Sequence, residues 1–422
     1  MYAMSLLKTR ARLAEDAPYA NLDLVNMVDT WPHPSSPSYA NHTAKYYTFF
    51  VDPYPKPFGY IHKDFVRDLP WRTEYWLLDH GAKTITLAIP ADRPNTFETR
   101  TKAMRQTLWD GHRQVAAENK RVGTITRRSL YRWCNELFPL LYPPTREPVL
   151  ELDGCGVDML GIINESVFLV AYTYGLPAAA TISSPSASSL STLERVTSST
   201  SVTSTASTVG TSTATTPLSE IDMSKLNFNS RLTTTTTNLA VTDPTTVPCA
   251  GATEHDTGEL RVYLSRRAAW KSAWPSLLDC SAAGGLSSSD ASALEGVIRE
   301  AHEEVRLPSR YLRSNAKYIG ESRLQLCETE LGEEGCQMQV QHCFEVELPD
   351  YIAPRPADGD GEVTGWVLVT VGELKEKLRM GEIKPASGLV LIRWMLERGL
   401  LTEEEGGWGE VGRRLRREFV VQ

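Results

Sequence analysis

Hydrophobic residues recur with the periods of folded protein in two stretches and lose that order between them. From about Asn21 to Tyr174, the runs Tyr46 to Val51 and Thr84 to Ile89 are rich in β-branched and aromatic residues, which predicts two strands. Phe97 to Lys120 keeps helical spacing with few breakers, and Asn95-Thr96 supplies a cap. The short apolar run Val167 to Tyr172 predicts a buried strand. Past Glu259, Leu260 to Leu264 and Met338 to Glu347 alternate as strands do, and Trp366 to Val369 forms a further apolar run. Ala291 to Leu307, Val371 to Arg379 and Leu389 to Arg398 have helical periodicity. Strands interleaved with helices predict an α/β fold.

Between these stretches, residues 178–258 are dominated by Ser and Thr, as in Thr233 to Thr237. Such a segment cannot bury enough apolar area to offset its ordering entropy, so it is expected to be a disordered insertion or linker. The expected organisation is a flexible N-terminus (1–20), an α+β domain (21–177) whose last strand is open to the following sheet, the Ser/Thr-rich insertion (178–258), and an α/β domain (259–422).

Of the 422 residues, 41% are hydrophobic and 23% charged, near the globular average. Lys and Arg number 44 against 52 Asp and Glu, a net charge of -8. That balance argues against nucleic-acid polymers, which demand clustered positive charge. No run of about 20 apolar residues suits a membrane span. The basic N-terminus lacks an apolar signal core, so a cytoplasmic location is expected, with a mitochondrial transit peptide left open by Lys8, Arg10 and Arg12. Seven cysteines, an odd number without a C-x-x-C pair, read as reduced thiols. Nothing in the sequence addresses oligomeric state.

The chemistry concentrates between Gly284 and Leu307. Ser289 or Asp290 is the expected N-cap and Pro308 marks the end. Ala291, Leu294, Ile298, Ala301 and Val305 fall on one face, which is expected to be buried. Glu300, Glu303 and Glu304 gather on the other side. Three carboxylates within one turn repel one another, and a divalent cation relieves that repulsion. Mg²⁺ suits such oxygen ligands together with substrate phosphates, and Mn²⁺ is a second option. Gly284-Gly285 allows a tight loop and close approach of backbone to a phosphate. Arg299, four residues before Glu303, is placed to orient its carboxylate.

This segment resembles the Nudix box: Gly, five residues, Glu, seven residues, Arg-Glu, an apolar residue, any residue, Glu-Glu, any residue, Gly, an apolar residue. Counted from Gly285, Arg299-Glu300, Ala301, Glu303-Glu304 and Leu307 fall in place. Ala291 stands in the slot of the first Glu, next to Asp290, and Arg306 replaces the Gly. Arg266-Arg267, Lys271 and Trp274 to Asp279, with Asp358 to Val363 and Gly381 to Pro385, resemble the Nudix branch related to thiamine pyrophosphokinase. Phe58 to Ile61 and Trp133 to Pro139 resemble that branch's companion N-terminal domain, whereas Ser166 and Phe168 depart from its Gly and His.

The resemblance implies a Nudix α/β/α sandwich with a mixed sheet, preceded by a smaller α+β domain. It implies a pyrophosphohydrolase in which Glu300, Glu303 and Glu304 hold Mg²⁺, with Arg299 and Glu362 completing the catalytic set. Arg266, Arg267, Lys271, Gly284 and Gly285 are then the expected diphosphate contacts. The implied partner is a small diphosphate, thiamine diphosphate or its oxidised forms, cleaved to monophosphate and phosphate. An oxidised nucleotide is the second substrate option, and a catalytically weak binding module is the alternative class. No kinase domain is recognised, so pyrophosphorylation of thiamine is not expected. His302 reads as a surface histidine, His342 receives no role, and Trp71, Trp76 and Trp133 read as core more readily than as stacking platforms.

Overall fold

The computed structural model describes residues 17–117, 127–130, 133–175, 258–271, 273–329, 332, 334–357, 361–402, 405 and 408–419. Apart from Gly258, the Ser/Thr tract lies outside the described residues, as do Cys249, Asp358 to Asp360 and most of the expected flexible N-terminus.

After the first helix, α1 (Asn21–Val28), the chain builds a four-stranded sheet. Strand β1 (Tyr46–Val51) pairs antiparallel with β2 (Gly59–His62). On its other side it runs parallel to β4 (Thr84–Leu87), which takes β3 (Trp76–Asp79) at the outer edge. Phe49, Ile61, Trp76, Ile85 and Leu87 turn inward from these strands against Met104 and Leu108 of helix α2 (Phe97–Ala117). A hairpin, β5 (Leu137–Leu141) and β6 (Pro148–Asp153), closes the same core with Leu140, Leu150 and Leu152. The helix expected from Phe97 is therefore present, and residues 118–120 of the expected span lie outside the described residues.

The second sheet has β7 (Ile163–Thr173) at its centre. The other strands are β8 (Arg261–Arg267), β9 (Leu278–Asp279), β10 (Ala282–Gly285), β11 (Lys317–Glu328), β12 (Glu334–Glu347) and β13 (Val363–Thr370). The order is β11-β12-β7-β8-β13. β7 runs parallel to β12 and antiparallel to β8, so the sheet is mixed. β7 and β8 pair only at Tyr172↔Val262 and Thr173↔Arg261. Beyond that point β10 pairs with β7 and β9 with β8.

Alternation along β7 divides the core. Val167, Leu169 and Ala171 meet Val297, Ile298, Ala301 and Val305 of helix α3 (Ala293–Val305). Phe168, Val170 and Tyr172 face the opposite way, toward α4 (Val371–Arg379), α5 (Pro385–Glu397) and Leu24, Val25 and Val28 of α1. Helices on both faces of a mixed sheet make the α/β sandwich that the sequence predicts. β11 was not foreseen, because Gly320, Glu321, Ser322 and Arg323 interrupt its apolar positions.

The start of α3 differs from expectation. Ser292, not Ser289 or Asp290, is the N-cap: its hydroxyl accepts the Glu295 N–H at 3.2 Å. Ala291 is exposed and precedes the helix, and Val297 takes a place on the buried face. At the other end, Arg306 ends α3 in the left-handed region, with φ 55°. That geometry favours Gly, the residue of the box motif at this slot.

Candidate active site

The acidic turn of α3 is organised by one guanidinium. Arg299 Nε and Nη2 each lie 2.9 Å from a different oxygen of Asp290, a bidentate pair. Its Nη1 reaches Glu300 Oε1 at 2.9 Å and Glu303 Oε2 at 3.2 Å, and Nη2 also donates to the Gly285 carbonyl at 3.0 Å. Arg299 meets Glu303 as expected but through this single contact, the expected bidentate geometry falling on Asp290 instead. Asp290, buried and bonded to the Ser287 N–H at 2.9 Å, contributes a carboxylate that Ala291 lacks. Burial works against its charge, but the bonds from Arg299 and Ser287 hold it below the usual carboxylate range.

The three glutamates do not share one environment. Glu303 is half exposed. Glu300 is largely buried, and Glu304 is 8% exposed, on the shoulder of the apolar face rather than opposite it. Glu304 Oε2 accepts the Ala283 N–H at 3.0 Å. Burial, reinforced by neighbouring carboxylates, pushes Glu300 up to about 7 and Glu304 up to about 8.

The glycine pair explains how such side chains fit. Gly284 and Gly285 lie in strand β10 opposite Val167 and Ser166, not in the loop expected from the sequence. A Cβ on Gly284 would stand 2.0 Å from the Glu300 carboxyl carbon, and one on Gly285 would stand 2.5 Å from the Phe138 ring. The bare strand is room for a carboxylate on one face and an aromatic ring on the other.

Arg299, Glu300, Glu303, Gly284, Gly285 and Phe138 border a cleft of about 520 Å³, whereas Asp290 and Glu304 are not part of its lining. Lys271 is ion-paired with Glu362, and both line the cleft. Arg267 also reaches it, but its guanidinium is committed to Asp279 Oδ2 at 2.9 Å and to the carbonyls of Ala273 and Trp274. Arg266 does not line the cleft. Neighbours on a strand point to opposite faces, and its Nη1 donates to the Ser276 carbonyl at 3.1 Å. The expected pair of arginines on a diphosphate is corrected to one partly engaged arginine.

Sequence reasoning assigned no role to Lys384, which enters the cleft beside Asp279 at 3.8 Å, nor to Glu136 and Phe138 from the N-terminal half. It also missed a polar floor of Asn164, Ser166, Gln337 and Gln339. Period-two alternation carries the signal that Asn164, Ser166 and Phe168 share a face, but nothing in the sequence brings β12 alongside.

His302 is exposed, and His342 lies 3.4 Å from Glu165, outside the cleft lining. Trp71 and Trp76 pack edge to face at 4.7 Å, and Trp133 packs on Trp109 at 5.0 Å. None of the three lines the cleft.

Glu304 is a buried carboxylate without an ion-pair partner among the described residues, and carboxylate oxygens suit a hard divalent cation. Among the described residues, the group of three potential ligands whose atoms already lie within 4.8 Å of one another is His62, Asp64 and Glu334, not Glu300, Glu303 and Glu304. No helix is long and apolar enough to cross a membrane among the described residues.

No family model matches the chain. It is 29% identical over 169 residues to uncharacterized protein YJR142W of Saccharomyces cerevisiae, which covers 38% of this chain and 48% of that one. It is 29% identical over 168 residues to Nudix hydrolase 24, chloroplastic, of Arabidopsis thaliana, covering 39% of this chain and 43% of that one. The chain thus spans less than half the length of either relative. Among solved structures, the Nudix hydrolase of Alicyclobacillus acidocaldarius is similar over 54% of this chain and 89% of its own, with 10% identity and a TM-score of 0.27. The sequence relatives support the Nudix hydrolase family for this chain.

Proposed function

We propose that the protein is a Mg²⁺-dependent pyrophosphohydrolase, with Mn²⁺ as the alternative ion. Its proposed substrate is a small molecule carrying a diphosphate, thiamine diphosphate or its oxidised forms, cleaved to monophosphate and phosphate. The observation that carries this reading is Glu300, seated against the bare strand at Gly284 in a cleft that Lys271 and Lys384 also line, with Glu304 buried beside it on the Ala283 N–H.

Glu300, Glu303 and Glu304 would hold the cation. When bound, the ion supplies charge neutralisation on the diphosphate and a water of lowered pKa. The protein's own groups account for the rest. Arg299 locks Glu300 and Glu303 in place, and Asp290 locks Arg299. Lys271 and Lys384 supply positive charge within the cleft lining that draws in the polyanion. Gly284 and Gly285 serve the site by seating Glu300 and Phe138 against the strand, rather than by touching the diphosphate as the sequence suggested. Glu362, poised on Lys271, is the candidate acceptor of the attacking water's proton.

The test is phosphate release from thiamine diphosphate, its oxidised analogues, and nucleoside di- and triphosphates, with and without Mg²⁺, for the native chain and Glu303→Gln. Turnover that requires Mg²⁺ and is lost in the variant supports the reading. Turnover indifferent to both, or absent throughout, overturns it.

A further inference from the structure

The floor of the cleft carries more hydrogen-bonding capacity than the protein uses. Asn164 of β7 and Gln339 of β12 are register partners in the parallel pair. Gln337 lies two residues before Gln339, on the same face, and all three line the cleft. Among the described residues, the side chains of Asn164 and Gln337 make no hydrogen bond. Gln339 Oε1 accepts from Gln341 Nε2 at 3.3 Å, and Gln341 is itself anchored on the Ala386 carbonyl at 3.1 Å. That leaves the Gln339 amide N–H groups for the cleft. Three partly buried carboxamides offer donors and acceptors side by side, and leaving such groups unpaired under a ligand weakens its binding.

An aromatic surface flanks them. The Phe138 ring is seated where a Cβ at Gly285 would come within 2.5 Å and one at Gly154 within 2.9 Å, so the two glycines make its berth. Spacing fits a substrate with two chemical ends. Phe168 pairs with Ala283, whose N–H holds Glu304. Asn164 lies four residues away along β7, about 13 Å at strand rise. That span takes a diphosphate and a short linker before a ring reaches the amides.

We propose that Asn164, Gln337 and Gln339 recognise the non-phosphate end of the substrate as a planar nitrogen heterocycle with adjacent donor and acceptor atoms, set beside Phe138. The proposal rests on the hydrolase reading for the position of the diphosphate. Carboxamides pair bidentately with an amino group next to a ring nitrogen, the edge that aminopyrimidines and adenine share. An alkyl diphosphate leaves those amides unpaired and is rejected for that reason.

The experiment measures binding by calorimetry in Ca²⁺, and hydrolysis in Mg²⁺, for thiamine diphosphate, ADP, UDP and methyl diphosphate. The native chain is expected to bind at least one heterocyclic probe about 100-fold more tightly than methyl diphosphate, since two lost pairings weigh about tenfold each. Gln339→Met and Asn164→Leu each shrink that ratio about tenfold and leave methyl diphosphate binding unchanged. A native ratio near one overturns the proposal, as does an equal loss for every probe in both variants. Mg²⁺-dependent hydrolysis without heterocycle preference refutes the recognition and leaves the hydrolase reading intact. Amide-dependent binding without hydrolysis refutes the hydrolase reading and leaves the recognition intact.

Discussion

Two buried acids, near enough for one to feel the other's charge, live by opposite rules. Asp279 is 4% exposed, yet its carboxylate is served by Arg267, Lys384, the Ser387 hydroxyl and the Cys280 N–H. Burial disfavours its charge, and those partners together outweigh burial and hold it below the usual carboxylate range. Glu304, at 8% exposed, has one backbone N–H and neighbouring carboxylates, and burial wins. A buried charge that the fold satisfies is part of the architecture. One that the fold leaves short is a demand on something else, here a cation.

The contrast breaks most sharply in activity. Glu303→Gln and Glu304→Gln are expected to lower kcat about 10³-fold, several kcal/mol of lost charge stabilisation, measured as phosphate release in Mg²⁺. In the metal-free protein at pH 8, Glu304→Gln should leave stability unchanged or raised, because it removes a poorly compensated charge. Asp279→Asn should do the reverse. Breaking a satisfied buried pair costs about 3–5 kcal/mol, read from urea unfolding. Equal destabilisation by the two substitutions would erase the distinction.

Gly284→Ala places a methyl on the Glu300 carboxylate and should cost about 10- to 100-fold in metal affinity, measured by Mn²⁺ titration. The pH dependence of stability sharpens the comparison further. Glu300 and Glu304 ionise near 4.5 when unfolded but at about 7 and about 8 when folded. The unfolded chain therefore binds fewer protons over that window, and the metal-free protein loses stability as pH rises through it, levelling off above about 8. Asp279 acts oppositely: its contribution is complete above its unfolded value of 3.8 and lost on further acidification. Thermal melts from pH 4 to 9 should show the Mg²⁺-induced gain in Tm growing with pH. The smallest effect is expected at the end of α3, where Arg306→Gly relieves a left-handed residue and stabilises by about 1 kcal/mol, with turnover unchanged.

Much of the acidic end was readable because it is local. Glu300, Glu303, Glu304 and Arg299 lie within one helix, where spacing sets geometry. The reading placed Glu304 on the outer side because helical angle alone does not reveal that a bare strand opens room on the shoulder. It misjudged Arg266 although the alternation that turns it away from Arg267 was in plain view. The N-cap moved from Asp290 to Ser292 because Asp290 is held by Arg299 nine residues on, a tertiary contact that local capping rules do not contain. The amide floor was illegible for a different reason. Asn164 and Gln339 become neighbours only through the parallel register of β7 and β12, strands far apart in the chain.

That register has a consequence for how the molecule is made. A ribosome releases β7 long before β8 and β12, the strands that will flank it. β8 and β10 can cover one edge once residue 285 has emerged, but until residue 347 follows the other edge of the apolar run stays open, a template for any stray strand. The polypeptide's riskiest moment is therefore during its own synthesis, and severing it between residues 180 and 256 should yield two pieces that are insoluble apart and mend one another when produced together.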